Sequence, residues 1–341
     1  MSEEGQAGRG GEAQDALAEG LAIARAGVAP PAVPKVKGMR LWLGTSPAAR
    51  AMLPTAAMVR RSRILAEAEW RENEAVRADA IAQMSVVIGN TELAGKIEEL
   101  ARMCVIERKV HDTLFWQPWH PRMDEESRAR LRAAMQSRRG VLLSACHLGQ
   151  FFMLSGAVGT IGVVAHHLGG QWLFEVPSQD RWGRRQVHWS RSLHRHGVRL
   201  SPARGSFAIV CTLLREGEAV FNLFDVPGPD QTAFLGRPTM MLPGTARMAR
   251  TADALVAPLR ARRQGHLVWV DVGQPLDPRD FESEQQLHDA LAAVHTRWIL
   301  DAPWSLEDPR RPGSWEEGAT AAAWTLPARA LQGGAGNREL P

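Results

Sequence analysis

From Gly140 onward, short apolar runs alternate with helical patterns, and this alternation constrains the fold more than any other feature of the chain. GVLLSA is apolar throughout, too short for a buried helix and without the period-two polarity of a half-wet strand. HLGQFFMLSGAV reads as a helix packed on that strand, and IGVVAHH as the next strand. A helix over 179–196, the strand GVRLS, a helix over 206–215 and the strand AVFNLF follow. A loop over 225–237 then leads to the strand PTMML, a helix from 244, the strands ALVAPLRA and HLVWVDV, and a last helix over 282–300. Doubly buried strands separated by helices predict an α/β fold, a mixed sheet flanked by helices.

Ahead of this core the pattern changes to three- and four-residue spacing over 48–81 and 92–114, with a further helix over 125–136 opened by Asp124 as cap. The expected organisation is a flexible segment over 1–38 and a single α/β domain over 39–317. That domain has a helical part at 39–139 and a core at 140–317, and a flexible tail follows at 318–341. With 45% hydrophobic and 23% charged residues the chain is globular. Its three cysteines, Cys104, Cys146 and Cys211, lack CxxC spacing, which argues against a disulfide scaffold or a cysteine zinc site and fits a reducing compartment. Tyrosine is absent, so none serves as acid, base or nucleophile. The start of the chain carries no signal-peptide pattern. The longest uncharged run, 140–174, contains His147, Gln150, His166 and His167 and makes a poor membrane span. A cytoplasmic protein, at most peripheral to the inner face of a membrane, is expected.

His147 is the most informative position. It ends the strand GVLLSACH, and catalytic groups collect at the carboxyl edge of strands in open α/β sheets. A following helix start would keep its ring neutral and available as a base. A histidine that merely packs at the strand end is the competing reading. Cys146 is placed to face away from His147, as neighbours in a strand do, and reads as a small buried residue rather than a nucleophile. His166 and His167 diverge for the same reason. No HExxH, phosphate loop or dinucleotide fingerprint is present, so no metal site and no cofactor is expected. The stretch 181–204 holds seven arginines and three histidines with no acid. It reads either as a solvated face or as a dock for an acidic partner. No nucleic-acid-binding motif accompanies it.

Five stretches in order, GVLLSACHLGQFF, WGRRQVHWSRSLHRHGVRL, LLREGEAVFNLFDVPGP, TAFLGRPTMMLPGTARMARTADALVAPLRA and HTRWILDAPWSLEDP, carry a resemblance. They resemble the lysophospholipid acyltransferase superfamily, in its lipid A late acyltransferase and phosphatidylinositol mannoside acyltransferase branch. The resemblance implies a glycerolipid acyltransferase-like fold and an enzyme that moves an acyl group. The donor would be an acyl carrier protein or coenzyme A thioester, and the acceptor a hydroxyl or amine on a lipid or a small molecule. His147 would be the base, with oxyanion donors at the Leu148–Gly149 amides or Arg237. The family signature places an acid five residues after the histidine, where this chain has Phe152. Gln150 could hydrogen-bond the ring without supplying charge. Three readings follow: Asp225, which matches a family aspartate, approaches the histidine from another strand and replaces the carboxylate; a more reactive acceptor, such as an unprotonated amine, needs less activation; or the chain no longer catalyses transfer. Gly236, Arg237 and Gly244 match an acceptor-binding segment, and Arg181, Arg184, Arg185, Arg191 and Arg195 become a carrier-docking patch. Lipid biosynthesis or specialised metabolism would be the setting. Two other classes stay open: a non-catalytic acyl-carrier or lipid-binding protein that lost the motif acid, and a thioesterase or condensing enzyme.

Overall fold

The computed structural model describes residues 3–33, 45–203 and 205–308. The tail expected over 318–341 lies outside them, as do 34–38 of the N-terminal segment. The helical part comprises α1 (Glu3–Ala26), α2 (Pro47–Ala51), α3 (Thr55–Glu72), α4 (Glu74–Ile88), α5 (Ile97–Phe115) and α6 (Glu125–Gln136), with a two-residue strand β1 (Arg122–Met123) before α6. The core runs β2 (Val141–Ala145), α7 (Leu154–Gly159), β3 (Ala165–Gly169), α8 (Arg181–Arg195), β4 (Arg199–Pro202), α9 (Phe207–Arg215) and β5 (Ala219–Leu223). It continues with β6 (Pro227–Phe234), β7 (Arg237–Met241), α10 (Gly244–Ala252), β8 (Leu255–Gln264), β9 (Leu267–Val272) and α11 (Glu284–Asp301).

Helix starts follow their side chains. Asp124 accepts the Ser127 amide, Asp180 that of Gly183 and Ser283 that of Gln286, each satisfying a first-turn N–H that has no partner in the helix. The seven-stranded sheet has the order β1-β9-β8-β2-β5-β3-β4, parallel except for the β8–β9 pair. Strand β2 alternates its side chains between two apolar layers. Leu142 and Cys146 join α9, α10 and α11 on one face, while Val141, Leu143 and Ala145 join α6, α7 and α8 on the other.

Two expectations need correction. The first is the loop over 225–237, where β6 and β7 form an antiparallel hairpin outside the main sheet. Its first strand, PGPDQTAF, buries Gly228, Thr232 and Phe234 and exposes Pro229, Gln231 and Ala233, an alternation hidden by residues that usually mark turns. The second is the flexible N-terminal segment, whose residues 3–26 are helical. Its sequence lacks an apolar stripe, but its end is tied down. Arg25 pairs with Glu216, and the Val28 amide donates to the Leu200 carbonyl at 2.8 Å, beyond the edge strand β4.

Candidate active site

The site is a product of register. Strands β2 and β5 are parallel neighbours with Ala145 opposite Leu223. Two residues further along each chain stand His147 and Asp225, at equal height and of the parity that faces the α6–α8 side. The Phe224 amide donates to the Ala145 carbonyl at 2.6 Å and carries the pairing past the strand ends.

The geometry between the two side chains is specific. His147 Nδ1 lies 2.8 Å from Asp225 Oδ1, and the His147 backbone N–H donates to Asp225 Oδ2 at 3.0 Å. Asp225 is wholly buried, whereas the His147 ring is 14% exposed. Two N–H groups aimed at two carboxylate oxygens suit an ionised acceptor, which fixes the proton on Nδ1 and leaves the lone pair on Nε2. A buried carboxylate so bonded orients an imidazole and stabilises its protonated form. Phe151 packs against the ring, with centroids 4.7 Å apart.

The loop carrying His147 is fastened from both sides. Gly149 sits at φ +59°, with its Cα face against the Ala261 carbonyl. Its amide donates to the Ser305 carbonyl at 2.8 Å, and the Glu307 amide donates to the His147 carbonyl at 2.9 Å. The Leu148 amide is turned inward to the Cys146 carbonyl at 2.7 Å. Both amides expected to serve an oxyanion are therefore engaged within the protein. Nor does a helix begin at His147: a 3₁₀ turn starts at Phe151 and α7 only at Leu154, so no helix dipole bears on the ring.

Phe152, at the family's acid position, is fully buried in an aromatic cluster. Its ring lies 4.9 Å from both His111 and Phe115 and 5.1 Å from Trp119. Gln150 is also fully buried, but its amide donates to Glu107 at 3.3 Å rather than to the histidine ring. Glu107, itself buried, in turn forms an ion pair with the half-buried Arg263. Nothing in the sequence singled out that pair, since its members are 156 residues apart.

The remaining expected residues are dispersed. Gly236, at φ +75°, lines an open cleft of about 490 Å³ with Glu92, Thr296 and Arg297, and His147 is not among its walls. Arg237 opens β7. Gly244 opens α10, whose next residue, Thr245, accepts a hydrogen bond from Asn222 of β5 at 2.9 Å. The arginines of α8 do not form one exposed face. Arg184 is buried, Arg185 lies over the Phe115 ring at 3.9 Å, Arg191 is half-buried, and Arg181 and Arg195 are exposed. Arg181 is paired with Asp112. A carrier protein meeting α8 would find two arginines rather than five.

Behind the site lies a second group that sequence reasoning missed. The Phe224 ring is flanked by His288 and His295 of α11, each 5.0 Å away, and His295 Nε2 is 3.0 Å from the Ser144 hydroxyl. Burial pushes His295 down to about 4, against the opposing pull of Asp225, so this histidine stays neutral. The only sequence signal was that both histidines recur seven apart on one helix face. His166 and His167 occupy opposite faces of β3: His166 pairs with Glu218, and His167 faces Ser155 and stacks on Phe221. Among the described residues, no group of three or more His, Cys, Asp or Glu is placed to hold a metal ion.

A family model described as bacterial lipid A biosynthesis acyltransferase matches residues 51–305. Among solved structures, the chain is similar to the 1-acyl-sn-glycerophosphate acyltransferase PlsC from Thermotoga maritima at 14% identity, covering 72% of this chain and 97% of that one, with a TM-score of 0.34. No curated protein matches the chain.

Proposed function

The chain belongs to the bacterial lipid A biosynthesis acyltransferase family, and from that premise we propose that it transfers an acyl group directly from a thioester donor to an acceptor hydroxyl, with His147 as base and Asp225 as its carboxylate partner. The observation that carries this reading is the 2.8 Å contact between His147 Nδ1 and a wholly buried Asp225. It supplies, from the neighbouring strand, the charge that Phe152 cannot.

The chemistry follows from that pair. Nε2 takes the acceptor proton as the acceptor oxygen attacks the thioester carbonyl. The new C–O bond makes a tetrahedral oxyanion, which collapses with cleavage of the C–S bond. The thiolate leaves and recovers the proton from the imidazolium. Asp225 holds the ring in the productive tautomer and stabilises its charge between the two steps. With a carboxylate behind the base, an ordinary alcohol suffices as acceptor, and an unusually reactive amine is not required. The donor is a carrier-protein or coenzyme A thioester, and the acceptor a hydroxyl on a lipid or biosynthetic intermediate.

Mass spectrometry of the protein with carrier-protein and coenzyme A thioesters and mixed alcohol and amine acceptors tests this, with His147→Ala alongside. Acylated alcohol formed by the wild type and lost in the variant is the expected result. Free acid would make the protein a thioesterase. Thioester left intact by both, across donors that bind, would overturn catalysis altogether.

A further inference from the structure

The outer face of α3 combines two features that normally do not stay together in water. Met52 and Leu53, at its approach, and Ile64 and Leu65, two turns on, are exposed large apolar side chains, Met52 by 83% and Ile64 by 59%. Among them stand Arg60 and Arg61, both exposed, with no ion pair or side-chain hydrogen bond among the described residues. Of the acids of the same helix, Glu67 and Glu69 are taken by Arg102 and Lys109 of α5, and the exposed Glu72 stands at the far end of the helix, about three turns beyond Arg61. At 100° per residue, Arg60 and Arg61 flank Ile64 on the side opposite the buried Val59, Ser62 and Ala66. The result is a basic face with apolar side chains set between its cations.

We propose that this face of α3 docks on an anionic lipid bilayer, with the two guanidinium groups at the phosphates and the apolar side chains in the headgroup–acyl boundary. A lipid surface fits better than an acidic protein because large apolar side chains, Ile64 and Leu65 on the helix and Met52 and Leu53 at its approach, stand exposed beside the cations, and Met52 projects almost fully from the surface. No helix among the described residues is long and apolar enough to cross a membrane. Its position is also suitable. Helix α3 is bonded to α5 through the Ser62 and Thr113 hydroxyls, 2.6 Å apart, and α5 supplies the His111 ring that stacks on Phe151 beside His147. A docked bilayer would therefore lie across α3 from α5, one helix removed from the His111 ring that backs Phe151 beside His147.

This goes beyond acyl transfer, and its test reads binding without turnover. The full chain is sedimented with vesicles of phosphatidylcholine alone and of a phosphatidylcholine–phosphatidylglycerol mixture. Binding to the mixture, weakened by salt, is expected. Arg60→Ala with Arg61→Ala should lower the partition coefficient roughly 25-fold, about fivefold for each cation removed. Ile64→Ser with Leu65→Ser should also lower it, while leaving the salt dependence in place. All four positions are exposed, so thermal melts should match the wild type, and turnover of a water-soluble acceptor should be unchanged. Equal binding to both vesicle types, or wild-type binding by the arginine double variant, would overturn the proposal. So would absent vesicle binding together with binding to an acidic acyl carrier protein that the same arginine substitutions abolish.

Discussion

Asp225 accepts from the His147 ring and from the His147 backbone at once, so its replacement should act on the ring's tautomer before it acts on the fold. In Asp225→Asn an amide NH₂ turned toward the ring would favour a proton on Nε2, where the lone pair is needed. The expected outcome is a fall in kcat of about 10³–10⁴ with KM little changed, as for a triad carboxylate. Single-turnover kinetics read this directly, and near-normal chemistry would remove Asp225 from the mechanism. Phe152 gives the converse prediction. Phe152→Glu restores the family's acid in name, but into a site walled by His111, Phe115 and Trp119 and closed to water. It should cost about 3 kcal/mol or more in urea unfolding, through an unpaired buried carboxyl and lost aromatic packing. It should not rescue Asp225→Asn. Of these residues, the sequence made His147 legible through its place at a strand end. Phe152 was legible only as a departure from a resemblance, because nothing local reveals that an aromatic cluster awaits it. The Glu107–Arg263 and Ser144–His295 partnerships were not legible at all, since each joins residues more than a hundred positions apart.

The elements that hold the histidine matter as much as its partner. The His147 loop is fixed at Gly149, whose φ of +59° an L side chain rarely adopts and whose added Cβ would stand 2.5 Å from the Ala261 carbonyl oxygen. That oxygen is backbone and cannot swing away. Gly149→Ala is therefore expected to lose about 1–3 kcal/mol of stability. It should lower kcat more than KM as the loop shifts His147 off Asp225. Denaturant melts and steady-state kinetics on the same preparation separate the two effects, and unchanged kcat in a destabilised variant would show that the loop does not position the ring. Most elements were readable because burial writes itself into composition. The strand β2, most of β5 and the first half of β8 are apolar runs, and α6 begins at the residue its Asp124 cap indicated. The hairpin of β6 and β7 was not readable, because Pro227, Gly228, Pro229 and Asp230 imitate a loop. Nor was α1, whose anchorage lies in Glu216 and Leu200, far along the chain.

At the scale of the whole molecule, three neutral histidines are sealed into different layers, and together they set an acid limit on the fold. Burial pushes His167 beneath α7, His188 among Phe115, Trp116 and Trp119, and His295 on α11 each down to about 4. Unfolding returns each to about 6.5, so between those values the unfolded chain binds more protons than the folded one. Stability therefore rises with pH through this window and is lost as pH falls from about 6.5 toward 4, by an amount on the order of 2–3 kcal/mol for each histidine. Asp277 works in a lower window. The Arg139 guanidinium holds its carboxyl at about 2, so its contribution is present above the usual carboxylate range and is lost only as pH falls from about 4 toward 2. The two windows barely overlap, which makes the cause assignable. Urea unfolding at pH 7.5, 6 and 5 should show the midpoint falling steeply before any carboxylate pair is protonated, with an unchanged slope if the chain remains two-state. A profile flat from 7.5 to 5 would mean that these rings are charged inside the fold. Because the three sit on both faces of one sheet, the loss should be a single cooperative transition, with the site around His147 and Asp225 failing at the same pH as the core.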